Sequence, residues 1–193
     1  MSHRRASGVL TALVASCLVA ALPAVAQAKR IKFGSNLAAP ANRIEAHGAD
    51  SVFWNTGLAS KDKQRVPARG RVMTIRVKGT AIKHGGSNPL TLVHFQILHP
   101  SHGHVTVTLT SGNFHVPVGG NPNRVTTYHP VNLCASKRDY VAFNDLGGFN
   151  PPSYPNGTPF QVFSSVAGST TNFYSNAGGT NNGATFKGAP HKG

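Results

Sequence analysis

Acidic residues are scarce in this chain: five Asp and Glu stand against nineteen Lys and Arg in 193 residues, a formal net charge of +14 at pH 7. Glu45 is the single Glu, and the Asp residues are Asp50, Asp62, Asp139 and Asp145. A standard glycosidase flanks its scissile bond with two carboxylates, and calcium and magnesium sites draw on several oxygen ligands, carboxylates among them. Five scattered acids argue against both. Asp139 and Asp145, the best pair available, read as turn formers at the two ends of a strand. Cysteine is scarcer still, with Cys17 and Cys134 alone. Cys17 falls in an N-terminal leader, so no disulfide can form within the remaining chain. Cys134, with Val131 and Leu133 close by, is expected as a buried thiol. Cys-x-x-Cys, His-Glu-x-x-His and Gly-x-Ser-x-Gly are all missing, so no local framework supports a zinc centre or a serine nucleophile. No catalytic residue, metal or cofactor is expected. Helical periodicity is missing from every long segment. Beyond residue 28 no apolar run approaches the roughly 20 residues of a spanning helix, so no transmembrane helix is expected.

What is present begins with a leader. His3, Arg4 and Arg5 supply a positive start, residues 9–22 are almost wholly apolar, and Pro23 precedes Ala26-Gln27-Ala28, a small-x-small cleavage site. The pattern predicts a signal peptide over 1–28 and a secreted protein that starts at Lys29. Val14-Ala15-Ser16-Cys17 also fits a lipobox, and the alternative is a chain lipid-anchored at the cell surface through Cys17. The chain from Lys29 onward is long enough for one domain. It divides into an N-terminal arm over 29–49, a β-domain over 50–187 and a frayed tail over 188–193.

The β assignment rests on alternation. In 72–78, Met73, Ile75 and Val77 face one way and Thr74, Arg76 and Lys78 the other. In 92–98, Val93, Phe95 and Ile97 alternate with His94 and Gln96, and in 104–110 Val105, Val107 and Leu109 alternate with His104 and three threonines. Period-two patterning with β-branched residues marks half-buried strands. Shorter candidates lie at 52–54, 114–118, 124–128, 140–144, 160–166, 172–174 and 184–187. Gly85-Gly86, Asn88-Pro89, Gly119-Gly120-Asn121-Pro122 and Pro151-Pro152 separate some of them with turn chemistry. Many short strands in one domain predict a single all-β antiparallel sandwich, of jelly-roll or immunoglobulin-like type.

Basic residues concentrate in one span: Lys61, Lys63, Arg65, Arg69, Arg71, Arg76, Lys78 and Lys83, opposed there by Asp62 alone. Such a span attracts polyanions, or it serves solubility only. Interleaved aromatics for base stacking are missing from it, which argues against specific nucleic-acid recognition. His94, His99, His102 and His104 cluster, with His115 and His129 further on. Imidazole is a common metal ligand, but His94 and His104 lie on the polar sides of their strands and read as solvated. Trp54, Tyr128, Tyr154 and Tyr174 are available as sugar-stacking rings, or as ordinary packing.

The run Val131-Asn-Leu-Cys-Ala-Ser-Lys-Arg-Asp-Tyr-Val-Ala-Phe-Asn144 places a basic-Asp turn between two apolar strands, and Pro67-Ala-Arg-Gly-Arg-Val72 leads into an alternating one. Over about 52–163 this resembles small exported β-sandwich proteins of high-GC actinobacteria. The resemblance implies export and a sandwich, and lends no activity. Where that turn commonly carries Gly before Asp139, this chain has Arg138. The expected function is a non-catalytic secreted or cell-envelope protein. Its partner would be cell-wall or extracellular polysaccharide, or another polyanion. The alternatives are a secreted hydrolase and a histidine-dependent metal binder.

Overall fold

The computed structural model describes residues 29–47, 50–59, 63–83, 89–146, 157–163, 166–176 and 178–192. The leader, Lys61 and Tyr154 lie outside them. Chain contacts separate Met1–Arg30 from Ile31–Gly193, and all strands belong to the second unit. Every named element is a strand, and every strand pairing is antiparallel, as the sequence predicts for an all-β sandwich. Among the described residues no helix is long and apolar enough to cross a membrane.

The backbone of the fold is a hairpin of β6 (Leu92–Ser101) and β7 (His104–Thr110). His102 at φ 46° and Gly103 at φ 78° form its two-residue turn. Positive φ at both central positions matches the right-handed twist of the flanking strands. On its other side β6 pairs with β11 (Tyr140–Asp145), which pairs with β2 (Ser51–Gly57), which pairs with β13 (Thr170–Ser175). The two-residue β8 (Phe114–His115) adds to β6 beyond the end of β7. The C-terminal segment then completes both edges: β14 (Thr185–Phe186) pairs with β7, and β15 (Ala189–Lys192) pairs with β13. Only Lys187 and Gly188 join β14 to β15. Three Cα steps span at most about 11 Å, so the sheet must curl until its edges approach one another. The stretch expected to fray is thus the strap across the seam.

Inside the curl, Val52, Trp54, Leu98, Val105, Val107, Tyr140, Ala142 and Phe186 form one core. The opposite face carries a second layer of three small sheets. The first is β1 (Ala41–Ala46) with β12 (Pro159–Phe163) and β5 (Thr80–Ala81); the second is β3 (Gly70–Arg71) with β10 (Cys134–Ala135); the third is β4 (Ile75–Lys78) with β9 (Val125–Tyr128). Phe95 and Ile97 pack there with Val66, Val72, Tyr128, Leu133 and Ala135, and Val93 packs with Ala81, Val116 and Phe160. Part of the expected N-terminal arm is therefore strand β1, paired along its length with β12.

Four further expectations, about which side chains are covered or face inward, need correcting, each for a local reason. His94 is buried, 7% exposed, because β6 is covered on both faces. Leu109 does not share a face with Val105 and Val107: a bulge opposite Ile97 and Leu98 turns it toward the other core. Met73 precedes β4 and is 55% exposed, while Ile75 and Val77 pack inward. Cys134 is exposed, because its neighbours on either side, Leu133 and Ala135, take the inward positions.

Candidate functional site

Three segments far apart in sequence meet at the turn end of the β6–β7 hairpin. The first is the hairpin itself, which supplies His99, His102 and His104. The second is the Ser136–Asp139 turn between β10 and β11. Arg138 takes φ 77° there, a left-handed backbone conformation uncommon for a residue with a side chain. Asp139 closes the turn, its Oδ2 accepting the Ser136 N–H at 2.7 Å and its own N–H donating to the Ser136 carbonyl at 3.2 Å. The third segment runs through Val66, which exchanges backbone bonds with the turn: Val66 N–H to the Asp139 carbonyl and Arg138 N–H to the Val66 carbonyl, each 2.8 Å. This clamp brings Arg65 over Tyr140. Its guanidinium carbon sits 4.8 Å from the ring centroid, and Nε donates to the Tyr140 hydroxyl at 2.9 Å.

The three segments, together with Trp54 and Thr56 of β2, Asn172 of β13 and Gly188, surround an open cleft of about 580 Å³. Arg65, Lys137 and Arg138 line it as fixed cations, with His99, His102 and His104 along the hairpin side. No Asp or Glu lines it among the described residues. A neighbouring hollow of about 270 Å³ shares Arg65, Lys137 and Arg138 and adds Lys63. Low-dielectric walls around like charges focus a positive potential, and both Arg and Lys donate hydrogen bonds without accepting any. The cleft therefore presents positive charge and hydrogen-bond donors on this side. Beneath it, His99 Nδ1 lies 2.8 Å from Asp139 Oδ1, the carboxylate being 3% exposed and the imidazole 55%.

The predicted basic span contributes only part of this. Lys63 and Arg65 reach the cleft or its neighbour. Arg69 is exposed on the loop beyond, and Arg71 in β3 points Nε at Met73 Sδ, 2.8 Å away. Arg76 is exposed on β4 and Lys83 beyond β5, each beside a different small sheet. Lys78 is not free to meet a ligand as its strand position suggested: Nζ donates to the Leu37 and Ala39 carbonyls at 3.0 and 2.8 Å. It ties the N-terminal segment down. Lys137 and Arg138, which complete the cleft, carried no ligand-binding signal in the sequence beyond their place in a basic turn.

The three described rings among those available for sugar stacking take part in packing. Trp54, which borders the cleft, is 3% and Tyr128 6% exposed, and Tyr174 stacks on Phe186 with centroids 4.3 Å apart. His94 joins a separate buried polar group at the opposite end of β6. There the Asn144 amide donates to Gln96 Oε1 and Asp50 Oδ1, each at 3.3 Å, and to the Thr180 hydroxyl at 2.9 Å, while Thr180 donates to Asp50. Burial holds the His94 pKa below the usual imidazole value, against an opposing pull from Asp50. Among the described residues no three His, Cys, Asp or Glu side chains come together to hold a metal ion. No protein-family model, curated relative or solved structure matches this chain.

Proposed function

We propose that this is an exported, non-catalytic protein that binds an anionic extracellular polymer, such as a cell-wall or acidic polysaccharide, through the cleft between Arg65, Lys137 and the β6–β7 hairpin. One observation carries the reading: three fixed cations from two segments line one cleft with three histidines, and among the described residues no Asp or Glu lines it. The leader with Ala26-Gln27-Ala28 supports an extracellular setting. Each exposed cation contributes little by itself, so affinity comes from several anionic groups held at once along a polymer.

Binding of poly(glycerol phosphate) and of inorganic polyphosphate, followed by calorimetry across a salt series, tests the proposal. Three phosphate contacts give a slope of log K against log salt of about −2. The double variant R65S/K137S should lose most of the affinity. Wild-type protein that retains neither polymer, or retention indifferent to salt, overturns the reading. The hydrolase alternative draws on the His99–Asp139 pair. Polymer of unchanged length after incubation supports binding, whereas shortening that disappears in H99A supports hydrolysis.

A further inference from the structure

Resting on that reading of the cleft, we infer that the ligand carries hydroxyl groups beside its anionic ones, and that His99 Nε2 accepts a hydrogen bond from one of them. The argument starts at Asp139. Its carboxylate is buried, with Oδ2 occupied by the Ser136 N–H at 2.7 Å and Oδ1 facing His99 Nδ1 at 2.8 Å. A carboxylate only accepts, so the proton between them belongs to Nδ1. In a neutral imidazole the other nitrogen is then an acceptor. Nε2 of His99 has no protein partner among the described residues, and the ring lines the cleft.

His102 and His104 differ from it. His102 Nδ1 meets the Ser101 hydroxyl at 2.9 Å and His104 Nδ1 meets the His102 carbonyl at 3.2 Å, both local contacts of an exposed turn. Among the described residues no buried carboxylate orients either ring. Arg65, Lys137 and Arg138 offer donors alone, which suits phosphate, sulfate or carboxylate oxygen. A fixed acceptor set among donors adds a second requirement that bare polyanions do not meet. A polyol phosphate or an acidic polysaccharide meets it, with an O–H a few bonds from each charge. Asp139 acts here as a positioning residue, and His99 makes the contact.

Two measurements test this. At pH 8, where ordinary imidazoles are neutral, H99A should bind poly(glycerol phosphate) about tenfold more weakly, as expected for one lost hydrogen bond. Its binding of inorganic polyphosphate, which has anionic oxygens and no repeating hydroxyl, should stay within about twofold of wild type. Equal loss for both polymers, or no loss for either, overturns the inference and leaves the cationic cleft standing. Failure of wild-type protein to bind either polymer overturns the proposed function instead. Independently of any ligand, ¹⁵N shifts of His99 should show a protonated Nδ1 and an unprotonated Nε2. In D139N that preference should be lost, with the backbone amide spectrum of D139N matching wild type outside the 136–139 turn to show that its fold is kept. A protonated Nε2 in neutral wild-type His99 refutes the assignment.

Discussion

Gly188 sits where the C-terminal strap crosses the indole of Trp54, and replacing it by Ala tests how tightly the curled sheet is sealed. A Cβ at residue 188 would lie 2.6 Å from Trp54 Cζ2 and 3.0 Å from Asn172 Cβ, with Cη2 of the indole nearer still. Real Cβ atoms essentially never come as close as the two indole carbons would, and the Asn172 contact is tighter than most. The indole has little room to withdraw, since Trp54 is 3% exposed and packs against Phe186 at 6.0 Å between centroids. Gly188 is not among the glycines with positive φ, so Ala introduces crowding without backbone strain. Forcing a methyl into such a site costs about 1–3 kcal/mol. The lower entropy of the unfolded Ala chain returns about 0.4–1 kcal/mol. A net destabilisation of about 1–2 kcal/mol is expected. Urea unfolding followed by fluorescence measures it directly, because Trp54 is the single tryptophan. Native G188A should also emit further to the red as the strap lifts. G112A is the control, with nothing within 4 Å of its Cβ. Stability of G188A within about 0.5 kcal/mol of wild type, with unchanged emission, would refute the account of the seam.

Lys78 and Arg76, two residues apart on β4, should behave differently: K78S loses two charge-assisted bonds to the 37–39 backbone and should cost about 1–2 kcal/mol, whereas R76S, at an exposed position, should stay within about 0.5 kcal/mol; thermal unfolding of both variants checks this. His94 makes stability pH-dependent. Its folded pKa is depressed by burial, so the unfolded chain binds the extra proton. Stability should fall as pH drops below the unfolded value of 6.5, with a slope of up to about 1.4 kcal/mol per pH unit. H94Q should flatten that slope in denaturant titrations between pH 7 and pH 5; an unchanged slope would count against it. Cys134, exposed on β10, should react fully with a thiol reagent in the native protein, and protection until unfolding would contradict the assignment.

Alternation made the β architecture legible, and 104–110 coincides with β7 residue for residue. Its limits were physical. Two-residue strands such as β3, β5 and β10 are too short to show a period, and β1 and β15 lie in segments whose polar residues alternate with nothing. A bulge reverses the facing of Leu109, and no local pattern announces one. His94 read as solvated because alternation marks one face as polar, not as uncovered; on that face Thr180 and Asn144 from distant segments bond to Gln96, two residues on. The candidate site was visible only in fragments. The histidine cluster and Arg65 were singled out separately, and only the Val66 clamp on the Arg138–Asp139 turn brings them together. A contact such as Arg65 with Tyr140, 75 residues apart in sequence, leaves no trace in composition or spacing.

The strap also sets an order on folding. Strands β7 and β13 are free edges until β14 and β15 arrive, and those are supplied by residues 185–192. A chain stopped before Thr185 would carry two unpaired edges at once, each a template for pairing with another molecule. During vectorial synthesis the large sheet cannot close early. Its two edge pairings wait for one short segment, a delay that leaves the chain most exposed to self-association just before that segment emerges.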